Sequence, residues 1–183
     1  GLRGIHSADG SGGAQQEQPP ERTVFASSRF IGGRPPDEAL VLQKALSLHA
    51  VHLKIMEIAS GQDISDEVFR WIEKADTFLA FGTQDYAEDT GNPASTYYEA
   101  KFAQNKRKRI LLIRMISWGE EFNHLPARVL FGMNRLQLEW QPGQPMPHGL
   151  VDSIVKALGL ADGAESETSA LPGGKHDSDV AGG

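Results

Sequence analysis

One acidic residue stands out by its position. Glu99 follows a long loop rich in Asp, Gly, Thr and Asn, residues 82–94, and lies in the helical pattern STYYEAKFAQN. A carboxylate held beside a cleft can stabilise positive charge that develops in a transition state and can accept hydrogen bonds from substrate hydroxyls. Two structural readings of the same residue stay open. Thr96 and Glu99 form a T-x-x-E capping box at the start of a helix, or Glu99 pairs with a nearby lysine on a solvated face. Asp85, Tyr86 and Asp89 sit in the preceding loop, where a ligand can be contacted, although such loops are polar by necessity.

Other chemistries are excluded or unsupported. The chain has no cysteine, which removes disulfides, a thiolate nucleophile and Cys-ligated zinc or iron-sulfur sites. His49 and His52 straddle an expected helix end and strand start with no further ligand cluster, so no metal site is expected. Gly32 and Gly33 are not part of a G-x-G-x-x-G run, which argues against dinucleotide-dependent hydride transfer. Trp118 and Trp140 read as packing residues. The net charge of -6 is spread along the chain and the basic run at 106–109 is short, so no nucleic-acid footprint is expected. No apolar stretch approaches the roughly 20 residues of a membrane span. A cytoplasmic, soluble segment is the expectation.

The elements that must carry these residues alternate in type. Residues 23–27, TVFAS, form an apolar run suited to a central strand, followed by a loop with two Gly and two Pro. A helix begins at Asp37, a second strand is expected at 52–58 and a turn at 59–64. Ser65 is placed to cap the helix SDEVFRWIEKA. Residues 77–81 and 110–116 read as buried strands, the latter nearly continuous in apolar side chains as expected of a parallel strand. Residues 117–132 mix a short helix with loop, 135–140 suit an edge strand, and GLVDSIVKALG closes with a helix. The order predicts an α/β fold: an open, flavodoxin-like, five-stranded, mostly parallel sheet with helices on both faces. Residues 1–21 and 161–183, rich in Gly, Gln, Ser and Pro or lacking apolar periodicity, read as disordered tails around a folded unit at 22–160.

Across that unit the chain resembles the Toll/interleukin-1 receptor (TIR) domain family. VFASSRF resembles the family's opening strand with its F-x-S pattern. IASGQDISDEVFRWIEKADTFLAF resembles the segment in which a Gly-centred loop leads into a helix and third strand. Where many members carry Trp-Cys, this chain has Ser95-Thr96, followed by Tyr97, Tyr98 and Glu99, so the glutamate is retained and a pocket wall is altered.

The resemblance implies two outcomes, scaffold assembly in innate-immune signalling or cleavage of NAD+ at its nicotinamide-ribose bond. For an enzyme it implies Glu99 as the catalytic residue, with Ser28, Arg29, Phe30, Asp85, Tyr86 and Tyr98 as substrate contacts. Phe30 would stack on a ring. It implies Gly61, Gln62 and Asp63 as an assembly or gating loop, and other TIR domains or further copies of the chain as partners. NAD+ would be the substrate, with no additional cofactor. Nicotinamide is a cationic leaving group, so one carboxylate facing an oxocarbenium-like ribose suffices. Water attack gives ADP-ribose and attack by an adenine nitrogen gives a cyclic product. A nucleoside deoxyribosyltransferase-like enzyme, which shares a related sheet and a catalytic glutamate, is a third class. It would turn over deoxynucleosides and ignore NAD+.

Overall fold

The computed structural model describes residues 21–56, 64–133 and 135–160. Apart from Glu21, both expected tails lie outside these residues, as do Gly61, Gln62 and Asp63. Among the described residues five strands alternate with five helices: β1 (Arg22–Ser28), α1 (Asp37–Ser47), β2 (Val51–Ile55), α2 (Ser65–Lys74), β3 (Thr77–Gly82), α3 (Thr96–Asn105), β4 (Arg109–Arg114), α4 (Leu125–Gly132), β5 (Gln137–Glu139) and α5 (Leu150–Ala157). The strands form one sheet in the order β2-β1-β3-β4-β5, and every neighbouring pair is parallel. This is the flavodoxin-like arrangement expected from the alternation of elements.

Side chains alternate across the central strands, so each strand supplies two cores. Phe25, Phe78, Ala80, Ile110 and Leu112 face one layer, containing α2, α3 and α4. Val24, Ala26, Leu79, Phe81, Leu111 and Ile113 face the other, containing α1 and α5. The helices meet these faces with residues one turn apart: Leu42 and Leu46, Val68 and Ile72, Leu150 and Ile154 are all buried. Burial on both faces explains the near-continuous apolar sequence of β3 and β4.

Local differences from the expected elements have local causes. Ser65 is the first helical residue, and Ile64 takes the capping position, its carbonyl accepting the Val68 N–H at 2.9 Å. The edge strand β5 pairs with β4 only from Gln137 to Glu139. Trp140 instead turns inward, where its indole N–H donates to the Gln144 carbonyl at 2.9 Å. Trp118 is mostly exposed and covers the Arg114 guanidinium, which lies 5.0 Å from the ring centres of both Trp118 and Phe122.

The sheet order reverses between β1 and β3, because β1 is followed by β2 on one side and the later strands build outward on the other. Loops leaving the carboxyl ends of these two strands diverge to opposite faces and open a crevice, the usual ligand position in such sheets. Register places Ser27 beside Ala80 and Ser28 beside Phe81 at that end.

Gly82 closes β3 directly beneath the Phe131 ring, and a Cβ there would come within 2.8 Å of both ring Cε atoms. Phe131 in turn packs on Phe122 and on the edge of Tyr86, with ring centres 4.5 and 6.0 Å apart. Gly82→Ala is therefore expected to destabilise the fold by about 1–3 kcal/mol through overpacking. Urea denaturation measures it, and a loss below ~0.5 kcal/mol would show that the ring moves aside freely.

Candidate functional site

The site begins with the last residues of β1. Alternation puts Ser27 on the same face as Phe25, toward α3, while Ser28 turns the other way at the strand's end. The first turn of α3 brings Glu99 against this end of the sheet. Glu99 is only 7% exposed. Its Oε2 accepts a 2.5 Å hydrogen bond from Ser27 Oγ, and Ser27 Oγ lies 2.8 Å from the Tyr86 hydroxyl. The T-x-x-E capping box does not form. Thr96 is already helical, Ser95 holds the capping position, and Thr96 Oγ1 accepts the Ala87 N–H at 2.9 Å. That bond ties the loop after β3 to the start of α3, and Ala87 adopts a positive φ of 59° to make the turn.

Burial pushes the Glu99 carboxyl up to about 8, and the Ser27 hydrogen bond opposes that shift. Tyr86 is raised above the ordinary phenol range, first by burial and then by the adjacent Glu99 charge, again opposed by Ser27. These are the neighbouring groups whose ionisation the fold most perturbs.

A cleft of about 200 Å³ opens beside Glu99. Ser28, Arg29 and Phe30 line it from the end of β1, and Met56 and Val68 provide apolar walls. Arg29 sits half-buried at the margin, paired with Glu88 and donating to the Asp85 carbonyl at 3.1 Å. The Ser28 and Ser95 hydroxyls have no hydrogen-bond partner among the described residues. Among those residues no His, Cys, Asp or Glu cluster suits a metal ion. No helix among them is long and apolar enough to cross a membrane.

The structure thus brings Glu99, Ser28, Arg29 and Phe30 to one cleft. Tyr86, expected in an exposed loop, is fully buried behind Glu99 and is absent from the cleft wall. Asp85 contributes its carbonyl to Arg29, while its carboxylate accepts from Asn123 Nδ2 at 2.5 Å and lies 3.6 Å from His124 Nε2. Tyr98 is half-buried outside the cleft lining, edge-on to Tyr97 with ring centres 4.8 Å apart. Ser27 and Glu88 are site residues that sequence reasoning missed. A polar residue at an inward position of an apolar strand was the available signal for Ser27; Glu88 had none.

No family model and no curated protein matches this sequence. Among solved structures the chain is similar to the CMP N-glycosidase BcmB of Clostridium botulinum, at 14% identity and a TM-score of 0.45, covering 75% of this chain and 99% of that one. At that identity and score the likeness carries no argument about activity.

The raised Glu99 carboxyl makes stability depend on pH. Between the ordinary value of 4.5 and about 8 the folded state holds a proton that the unfolded state has lost. Stability therefore falls as pH rises through this window and levels off above it. Glu99→Gln, which cannot ionise and still accepts from Ser27, is expected to be more stable than the parent by about 2–4 kcal/mol at pH 8.5 and nearly equal at pH 4.5. Paired urea titrations at the two pH values decide it; an equal difference at both would place the Glu99 titration outside this window.

Proposed function

We propose that the protein is an NAD+ nucleosidase in which Glu99 is the catalytic carboxylate. The observation that carries the reading is one buried carboxyl, held from behind by Ser27 and facing a cleft at the point where strand order reverses. The resemblance to TIR domains, carried by the opening strand, the segment from 58 to 81 and the retained glutamate, supplies the substrate. Cleavage of the nicotinamide-ribose bond leaves positive charge on the ribose, which a carboxylate in a poorly hydrated site stabilises more strongly than water would. The nicotinamide cation itself favours ionisation of Glu99 when it enters, offsetting the burial that holds the proton on in the free protein. Phe30 offers a ring surface and Arg29 a cation for the diphosphate once released from Glu88. Water then gives ADP-ribose, or an adenine nitrogen gives cyclic ADP-ribose. Self-association is proposed to activate the enzyme.

A second reading, a non-catalytic TIR scaffold, draws on one observation. Leu125, Val129 and Met133 are spaced one turn apart on the exposed side of α4 and its end. An exposed apolar stripe of this kind suits docking to another domain.

Concentrated protein incubated with NAD+ should release nicotinamide, faster than in proportion to concentration across a dilution series. Glu99→Ala should lower the rate by at least about 100-fold. The rate below saturation should rise with pH and level off above about 8, following ionisation of Glu99. Chromatography of the products distinguishes linear from cyclic ADP-ribose. No release at concentrations where light scattering shows assembly would favour the scaffold, and turnover of deoxynucleosides without NAD+ cleavage would favour a deoxyribosyltransferase-like enzyme.

A further inference from the structure

We propose that Ser27 and Tyr86 are positioning residues that act through Glu99, forming a one-way hydrogen-bond chain that commits Oε2 to the protein and leaves Oε1 as the oxygen that meets substrate. The proposal rests on Glu99 being the reactive carboxylate.

The direction of the chain follows from counting protons. Tyr86 and Ser27 each carry one hydroxyl proton, and an ionised Glu99 carries none. Ser27 Oγ stands 2.8 Å from the Tyr86 hydroxyl and 2.5 Å from Glu99 Oε2. If Ser27 donated to Tyr86, two oxygens without a proton between them would face each other at 2.5 Å, and the Tyr86 proton would have no acceptor among the described residues. With Tyr86 donating to Ser27 and Ser27 to Glu99, both protons are used. Buried polar groups cost free energy when unpaired, so the second arrangement is the one the fold holds.

Packing fixes the donor at the far end. Tyr86 is fully buried, its ring meeting Phe131 edge-on at 78°, and the bond from Ala87 to Thr96 anchors the adjoining backbone to α3. Ser27 is held by the sheet through its register with Ala80. The hydroxyl oxygens therefore stand at set positions before any ligand arrives.

Among the described residues no other side chain hydrogen-bonds the Glu99 carboxylate, and the Ser28 and Ser95 hydroxyls that share the cleft stand unpartnered. Arg29 lines the cleft from the end of β1, but Glu88 of the loop takes its charge. The end of β2 contributes Met56, and α2 with the residue before it contributes Val68 and Ile64, none of them charged. On α3 itself the neighbouring Thr96 hydroxyl is engaged with Ala87. Ser27 is thus the hydrogen-bond donor to the carboxylate, and a proton taken up by Glu99 goes to Oε1, the atom that must otherwise face the ribose. Protonation and substrate engagement compete for one oxygen.

Three variants test this: Tyr86→Phe, Ser27→Ala, and both together. The double substitution removes the orphaned hydroxyl that Ser27→Ala alone would leave buried, so it decides the case if the single variant fails to fold. The direct readout is the carbon-13 shift of the Glu99 carboxyl against pH, assigned by its loss in Glu99→Gln. Ser27→Ala and the double variant are expected to raise the midpoint by about one unit, and Tyr86→Phe by about a third of a unit. The midpoint of the pH profile of kcat/KM for nicotinamide release should move with it, lowering kcat/KM at neutral pH by about tenfold in Ser27→Ala and the double variant, chiefly through a higher KM. A lower melting temperature with an unmoved carboxyl midpoint in the folded variants would overturn the proposal and leave Ser27 and Tyr86 as packing residues. A moved midpoint in a protein that releases no nicotinamide would support the hydrogen-bond chain and remove the NAD+ reading.

Discussion

A carboxyl group enclosed between a helix and the sheet beneath it must either find a donor or keep its proton, and Glu99 is placed where both pressures act. Burial favours the neutral form, and Ser27 favours the charged one. The hydrogen bond between them crosses from α3 to β1, so it also sets how the helix approaches the strand. The loop that joins β3 to α3 has to close within that constraint. It does so by burying Tyr86 beneath the helix, turning at Ala87 with a positive φ, and attaching to Thr96. Close packing under Phe131 extends the same constraint to Gly82 and α4.

The cleft beside this carboxyl has a simple division of labour. Its inner wall is rigid because β1 lies between two parallel neighbours, β2 and β3. Its outer margin rests on the Arg29–Glu88 pair, both members of which are part-exposed. Ion pairs of that kind contribute little to stability and exchange partners readily. In the proposed reading the rigid buried acid meets the ribose and the adaptable cation at the rim meets the phosphate beyond it. The apolar surfaces of Met56 and Val68 limit water near Glu99, which strengthens electrostatic contacts made there.

Much of this architecture was legible in the sequence. The alternation of short apolar runs with amphipathic stretches led to a five-stranded, mostly parallel sheet with helices on both faces, because each pattern buries its apolar side chains in a different kind of element. Glu99 drew attention by following a long loop into a helix, and the residues after β1 were expected near it from the resemblance to TIR domains. Element ends were less legible. The shift of the α2 cap from Ser65 to Ile64 and the shortening of β5 depend on backbone partners that sequence does not name.

The sequence by itself determined which residues must be inside, since apolar periodicity has a free-energy consequence wherever the chain goes. It also excluded cysteine chemistry at this end of the sheet and singled out Glu99 as a candidate carboxylate. Tertiary structure decided what surrounds that glutamate. Ser27 and Glu99 are 72 positions apart, and Ser27 and Tyr86 are 59 apart. A serine in a strand and a tyrosine in a polar loop carry no local mark of that meeting, because hydroxyl groups satisfy themselves equally well with water, backbone or a carboxylate. Only packing against Phe131 and the turn at Ala87 removed the water and left the carboxylate.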